Sequence, residues 1–341
     1  MIDRILSRRD FLKLSSATLL GLLLTELNLD NARAVSAPIK GRVLATSLVV
    51  RDAPAFSGKK LRSVKRDMLL DLVELVYGGE EGDYNRHWYR LNDREYVYSG
   101  WVQPLHISTN PDVTEIPEAG VVGEITQPFA DSAYGVNISV SPGPRLYYAT
   151  THWIEQAVTD KRDGSLWYKA YDAATQSHYY TRPAWVHLFS EAELSPLSPQ
   201  VPDSEKHIEI YLNRQLLLAY EGETPVYAAR VATGRRNFES PTGLFHTFHK
   251  RPTYHMFGGA DEFSIFDLPG VPWDSYITEG GVAIHGTYWH NDFGKPHSHG
   301  CINMAPADAK WIFRWTTPTV SPDERLAFQP GSGTQVRIIK V

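Results

Sequence analysis

HGTYWHNDFGKPHSHGCIN, residues 285 to 303, is the stretch from which the rest of the chain can be read. It holds four histidines, three glycines and Cys301, the only cysteine in 341 residues. A sole thiol cannot be half of an internal disulfide, and with imidazoles close by it is a candidate nucleophile or metal ligand. A thiol attacks as its thiolate, so it needs a base or a local positive potential. His285 ends the β-type run Val282-Ala283-Ile284, and His299 stands two residues before the thiol. Gly286 and Gly300 remove side chains beside both candidate reactive groups, which lets a substrate backbone approach closely. A helix from about Pro306 to Trp315, with proline suited to its first turn, adds positive potential from its N-terminus. Together these residues describe an acyl-transfer site: Cys301 as thiol, His285 as base, and amides near Gly300 as an oxyanion hole.

Zinc is the competing reading. Cys301, His285, His297 and His299 are enough ligands in number, but there is no C-x-x-C and no H-E-x-x-H. Neighbouring strand positions also point to opposite faces, which works against convergence. A buried packing cysteine would not require the polar His, Ser and Gly neighbourhood found here. Neither a metal nor another cofactor is therefore expected. His290 and His297 are read as solvated loop residues without a task.

Composition limits the class. The chain is long enough for two or three domains, with 42% apolar residues and a formal charge of −5. Scattered Lys and Arg without a basic face exclude a nucleic-acid surface. At the N-terminus, Ser7-Arg8-Arg9-Asp10-Phe11-Leu12-Lys13 precedes an apolar run from Leu14 to about Leu29 and then Ala32-Arg33-Ala34. A charged region, an apolar region and an A-x-A-like site make residues 1–34 a signal peptide, and the paired arginines resemble the twin-arginine export signal. Glu26 and Asn28 interrupt an apolar run already short of the ~20 residues that span a bilayer. That resemblance implies action in the cell wall or extracytoplasmic space, with membrane contact only during export.

The middle of the chain reads as short strands separated by Gly, Asp and Asn, which predicts small barrels. Trp88-Tyr89-Arg90 with Gly100-Trp101-Val102 is echoed by Trp167-Tyr168-Lys169 with Ala184-Trp185-Val186, so one module occurs twice, over 40–108 and 118–190. Val49–Pro54 (VVRDAP) and the W-Y-R and G-W-V pairing resemble bacterial SH3-like modules, whose usual role is to hold cell-wall or partner peptides. EAELSPLSPQVP, near 191–204, has the composition of a stiff linker. Beyond it, 205–341 is mostly β, with a hairpin turning at Asn213-Arg214 and the one helix.

His285-Gly286, then Ser298-His299-Gly300-Cys301-Ile302-Asn303, preceded by Ala232-Thr233-Gly234 and Ser240-Pro241-Thr242-Gly243, closely resembles the L,D-transpeptidase (YkuD-type) family. The resemblance implies a mainly β fold: a YkuD-like β-sandwich with one main helix behind two SH3-like barrels. It implies that Cys301 attacks a peptidoglycan tetrapeptide stem to form a thioester, that D-alanine leaves, and that an amine of a neighbouring stem completes a 3→3 cross-link. Carbapenem-type inhibitors would act on the same thiol. In this reading His299 orders the loop beside Gly300, and Asn303 fixes it by hydrogen bonds. Gly286, Tyr288, Trp289, Ser298 and Asn303 form the substrate side, with Trp273 and Tyr254 as further groove residues. The alternatives are an L,D-carboxypeptidase, in which water replaces the amine, and a wall-binding protein without catalysis.

Overall fold

The computed structural model describes residues 39–80, 84–136, 141–259 and 265–340. The expected signal peptide lies outside them. Among the described residues no helix is long and apolar enough to cross a membrane.

Strand pairing keeps to three segments. The first has β1 (Ile39–Val43), β2 (Ser47–Arg51), β3 (Lys60–Lys65), β4 (Leu69–Leu72), β5 (Glu74–Tyr77), β6 (His87–Asn92), β7 (Glu95–Tyr98) and β8 (Val102–Leu105). They form sheets β4-β1-β8 and β3-β2-β7-β6-β5 over a core that includes Val43, Val50, Val64 and Val97. The second has β9 (Val121–Ile125), β10 (Phe129–Ala130), β11 (Leu146–Tyr147), β12 (Thr151–Thr159), β13 (Leu166–Asp172), β14 (Ser177–Thr181) and β15 (Val186–Leu188), with main order β14-β13-β12-β9-β15. The repeated tryptophan motifs take equivalent places. Each W-Y-(R/K) lies on the first strand of a hairpin, and each following tryptophan ends a 3-10 turn that leads into a closing strand.

The third segment has β16 (Lys206–Tyr211), β17 (Leu216–Glu221), β18 (Thr224–Arg230), β19 (Gly243–His246), β20 (His249–Gly258), β21 (Phe266–Tyr276), β22 (Ala283–Gly286), β23 (Ile302–Met304), β24 (Ala327–Phe328) and β25 (Gln335–Ile339). Two five-stranded sheets result, β18-β17-β16-β25-β19 and β23-β22-β21-β20-β24. Strict alternation makes this possible: Ile208 and Ile210 on β16 point inward between more exposed neighbours. Ile208, Ile210, Leu217, Ile284, Ile302, Val336 and Ile338 share one core, each contributing roughly 1.5–3 kcal/mol by leaving water. Beyond Tyr254 the β20–β21 pairing continues with Met256 opposite Leu268, Phe257 opposite Asp267 and Gly258 opposite Phe266.

One helix, Pro306–Trp315, lies against β21 and β22. Ala309, Ile312 and Phe313 are buried at helical spacing, and Pro306 occupies the first turn, where its missing N–H costs nothing. Its C-terminus is held by buried Lys250, whose Nζ donates to the Phe313 carbonyl (2.5 Å) and the Thr316 carbonyl (2.7 Å). Burial lowers the Lys250 pKa well below its ordinary value, and its two donated bonds satisfy carbonyls that the last helical turn leaves without partners.

The proline-rich stretch read as a stiff linker carries short structure of its own. Glu191–Leu194 is a helical turn with a Ser190/Glu193 capping box. Leu194 and Leu197 pack on the core of the third segment, and the Leu197 N–H donates to the Arg314 carbonyl at 3.0 Å. Its leucines, spaced between prolines, find an apolar surface that composition does not reveal.

Candidate active site

The reactive groups stand on the outer face of sheet β23-β22-β21-β20-β24, opposite the sandwich core. On β22 and β23, Ile284 and Ile302 pair and point into the core, so their neighbours point out. His285 pairs with Asn303 in parallel register. Cys301, two residues before Asn303, comes level with Ala283, which pairs with Tyr276, which in turn pairs with His249. One row therefore reads His249, Tyr276, Ala283, Cys301. The adjacent row reads Arg251, Asp274, His285, Asn303, because Arg251 pairs with Asp274 and the Ser275–Ile284 pair sets Asp274 one step along, beside His285. Rows two residues apart are separated by roughly 6.6 Å, a gap that an imidazole and a thiol together can close.

His285 is buried, and its Nδ1–H donates to the Gly286 carbonyl at 2.9 Å. That bond leaves Nε2 as the free basic nitrogen. Burial lowers the imidazole pKa to about 4, so the ring is neutral at ordinary pH. Cys301 is half-buried and donates from Sγ to the Gly281 carbonyl at 3.6 Å. Burial pushes the thiol up to about 11, with the Ala283 N–H opposing and the Asp274 charge adding to the rise. The resting pair is thus a thiol and a neutral imidazole, and the proton moves when a substrate is attacked.

The nucleophile's loop is held by the turn carrying the upstream motifs. Thr233 O accepts the His297 and Ser298 N–H groups, and the Ser298 carbonyl accepts from Arg235 at 3.0 Å. Ser240 Oγ donates to the Gly300 carbonyl (2.7 Å) and accepts from Gly234 N (2.9 Å). Gly234 must be glycine, since a Cβ there would sit 2.0 Å from the Phe238 carbonyl oxygen. Gly300 has φ +119°, and a Cβ there would meet nothing closer than 3.9 Å, so it is the backbone conformation and not crowding that demands glycine.

Several expected roles change with the geometry. Ser298 lies inside the loop rather than on a substrate surface: its Oγ donates to the Cys301 carbonyl (2.5 Å) and accepts the Gly300 N–H (3.1 Å). The Gly300 amide is therefore engaged and does not serve as an oxyanion donor in this state. Among the described residues no hydrogen bond occupies the Cys301 N–H, which leaves it for that task. Gly286 faces no open approach, because a Cβ would meet Pro272 Cγ at 2.7 Å and Pro306 Cα at 3.1 Å. Tyr288 is buried and stacks on Tyr147 at 5.8 Å, with its hydroxyl on the Pro269 carbonyl, so its ring is engaged in packing against the second segment. Trp273 belongs to the core. Asn303 is buried against His290 and does not face substrate. His290 is buried and His297 half-buried: their rings meet at 4.1 Å, and His297 packs on Trp101 of the first segment.

Other expected residues remain at the site. His299 is exposed, packs on Phe238 and takes an N–H from Arg235 at 2.9 Å, which ties the loop to the upstream turn. Burial and Arg235 lower its pKa. Trp289 lies 5.9 Å from the His285 ring. Tyr254 lines a cleft of about 340 Å³ with Phe248, His249, Arg251, Tyr276 and Gly281, the residue whose carbonyl receives the thiol.

Asp274 was not anticipated. It is fully buried, both carboxyl oxygens lack partners among the described residues, and burial raises its pKa well above the usual carboxylate range. The available signal was an acid inside the run Val271-Pro272-Trp273-Asp274. Trp273 precedes it at φ +65°, a left-handed value costly for a bulky residue.

Residues 205–338 match the family model of the L,D-transpeptidase catalytic domain, YkuD. YciB of Bacillus subtilis (strain 168), named as an L,D-transpeptidase, is 25% identical over 134 residues, covering 35% of this chain and 66% of that protein, just under two thirds of its length. Among solved structures, the catalytic domain of the E. faecium L,D-transpeptidase is 25% identical, with 39% of this chain and 96% of that chain covered and a TM-score of 0.31. L,D-transpeptidase 3 from Mycobacterium tuberculosis, solved with a faropenem-derived adduct, is 14% identical, with 48% and 74% covered and a TM-score of 0.32.

Proposed function

We propose that residues 205–338, which match the L,D-transpeptidase family model, are a catalytic domain of that kind and that this chain is an exported peptidoglycan L,D-transpeptidase that forms 3→3 cross-links through a cysteine thioester. The observation that carries the reading is the Cys301–His285 pair on adjacent parallel strands, with Nδ1 of His285 committed to Gly286.

In the first half-reaction Cys301 Sγ attacks the carbonyl joining the third stem residue to D-alanine, and His285 Nε2 takes the thiol proton. The Cys301 N–H donates to the oxyanion. Collapse breaks the C–N bond, the D-alanine amine leaves with the proton from His285, and a thioester remains. In the second half-reaction a side-chain amine of another stem attacks the thioester and gives its proton to His285. The departing sulfur takes that proton back, restoring thiol and neutral imidazole. Carbapenems would acylate the same sulfur. The resemblance of residues 1–34 to a twin-arginine leader supports action outside the cytoplasmic membrane, and the two SH3-like segments would engage or span the wall.

Tetrapeptide-stem muropeptides incubated with the full chain and with Cys301→Ala, followed by mass spectrometry, test this. Cross-linked dimers that require Cys301 are expected. Monomers shortened by one D-alanine without dimers would replace the transferase with a carboxypeptidase, and unchanged substrate would overturn the enzyme.

A further inference from the structure

The loop between the two reactive residues is gripped from outside the catalytic domain. Tyr98, at the end of β7 and 5% exposed, donates its hydroxyl to Asp292 Oδ1 at 2.6 Å. Asn85 donates to the same oxygen at 3.3 Å. The Asn291 N–H donates to the Gly100 carbonyl at 2.9 Å, and Asn291 Nδ2 to the Ser99 carbonyl at 3.3 Å. The approach is close enough to demand glycine, since a Cβ on Gly100 would stand 2.7 Å from Asp292 Oδ1.

From Asp292 the contacts continue inward. Its backbone N–H donates to His290 Nδ1 at 3.2 Å. A neutral imidazole has one accepting nitrogen, so Nε2 carries the proton. The Asn303 amide, 2.9 Å from Nε2, then accepts it through oxygen. Asn303 is fixed on its other side by reciprocal backbone bonds with Ala232 at 2.9 and 3.0 Å. It faces His285 across the sheet and follows Cys301 by two residues. An unbroken chain therefore runs from Tyr98 through Asp292, His290 and Asn303 to the strand pair that carries thiol and base.

We propose that Tyr98 is a positioning residue for the Cys301–His285 pair, so that the first N-terminal segment sets the geometry of the active site. The proposal rests on that pair being reactive and is independent of which substrate it serves. His290 is the central link, because it joins the loop backbone to Asn303 with both ring nitrogens. Tyr98 also packs its ring on Trp88 at 5.5 Å and Phe56 at 4.9 Å, contacts that phenylalanine preserves. Loss of the hydroxyl thus loosens the loop without emptying the module's core.

The test is alkylation of Cys301 by iodoacetamide in the full chain, followed by mass spectrometry from about pH 6 to pH 11, with His285→Ala as the reference for an unassisted thiol. Tyr98→Phe is expected to lower the melting temperature by only a few degrees and to react roughly tenfold more slowly near pH 7, approaching His285→Ala. It should rejoin the wild type near pH 11, where the thiolate forms without a base. Asp292→Asn retains a carbonyl oxygen for Tyr98 and the N–H for His290, and is expected within about twofold of wild type. A Tyr98→Phe profile equal to wild type overturns the proposal. So does a loss of equal size at every pH, which would mean altered access, or an Asp292→Asn variant as slow as Tyr98→Phe. Alkylation needs no peptidoglycan, so failure of the proposed function would appear separately as absent turnover.

Discussion

At the residue scale the chemistry is set by two neutral groups. With the imidazole at about 4 and the thiol at about 11, neither is charged through the neutral range. Turnover is expected to fall on the acid side as His285 protonates near pH 4, and to hold steady through neutral pH. Thiolate absorbance should rise only as pH approaches 11; a thiolate band already present near pH 6 would show a resting ion pair instead. Asp274 gives a second prediction. Its charge adds to the thiol's raised pKa, so Asp274→Asn, which keeps shape and removes charge, should move the thiolate midpoint downward. A midpoint that stays or rises would remove Asp274 from the electrostatics of the site.

At the scale of elements, the site depends on the spacing between β22 and the helix beneath it. Gly286 is where they meet, with Pro272 and Pro306 too close for a Cβ. Gly286→Ala should cost about 1–3 kcal/mol in denaturant unfolding. Because the Gly286 carbonyl orients His285, the variant should also lose about a hundredfold in turnover. Retention of full activity would show that the carbonyl does not set the ring. The helix Pro306–Trp315 and the hairpin at Asn213-Arg214 were both legible from apolar spacing and a turn signal. The pairing of β22 beside β23 was not, because a parallel contact between strands fifteen residues apart leaves no local pattern.

At the scale of the whole molecule, the second segment and the catalytic domain share a core. Val122, Trp153 and Phe189 pack in one cluster with Trp273 and Phe313. Across this junction His255 sits between Asp172 of β13, at 2.6 Å, and Asp267 of β21. The hydrogen bond to Asp172, with help from Asp267, raises its pKa against the effect of burial. A histidine raised in the folded state contributes stability that is fully present below its unfolded value near 6.5 and is lost as pH rises through the folded value. The melting temperature of His255→Gln should therefore lie further below wild type at about pH 5.5 than at about pH 8.5. An equal gap at both would mean that the bridge carries no charge.

The sequence alone singled out Cys301 and His285 as the candidate pair and determined the β character and the repeat of the tryptophan motif, because each is written in residue type and short spacing. Cys301 is unique, Gly300 takes a conformation open to glycine, and strands announce themselves by alternation. Tertiary structure decided the rest. Tyr288 and Ser298, plausible as substrate contacts, are used by packing and by the loop itself, while His290, which looked idle, links Tyr98 to Asn303. Burial and hydrogen-bond partners arise from chain segments brought together by folding. A histidine in a polar loop carries no local mark of the protein that will cover it.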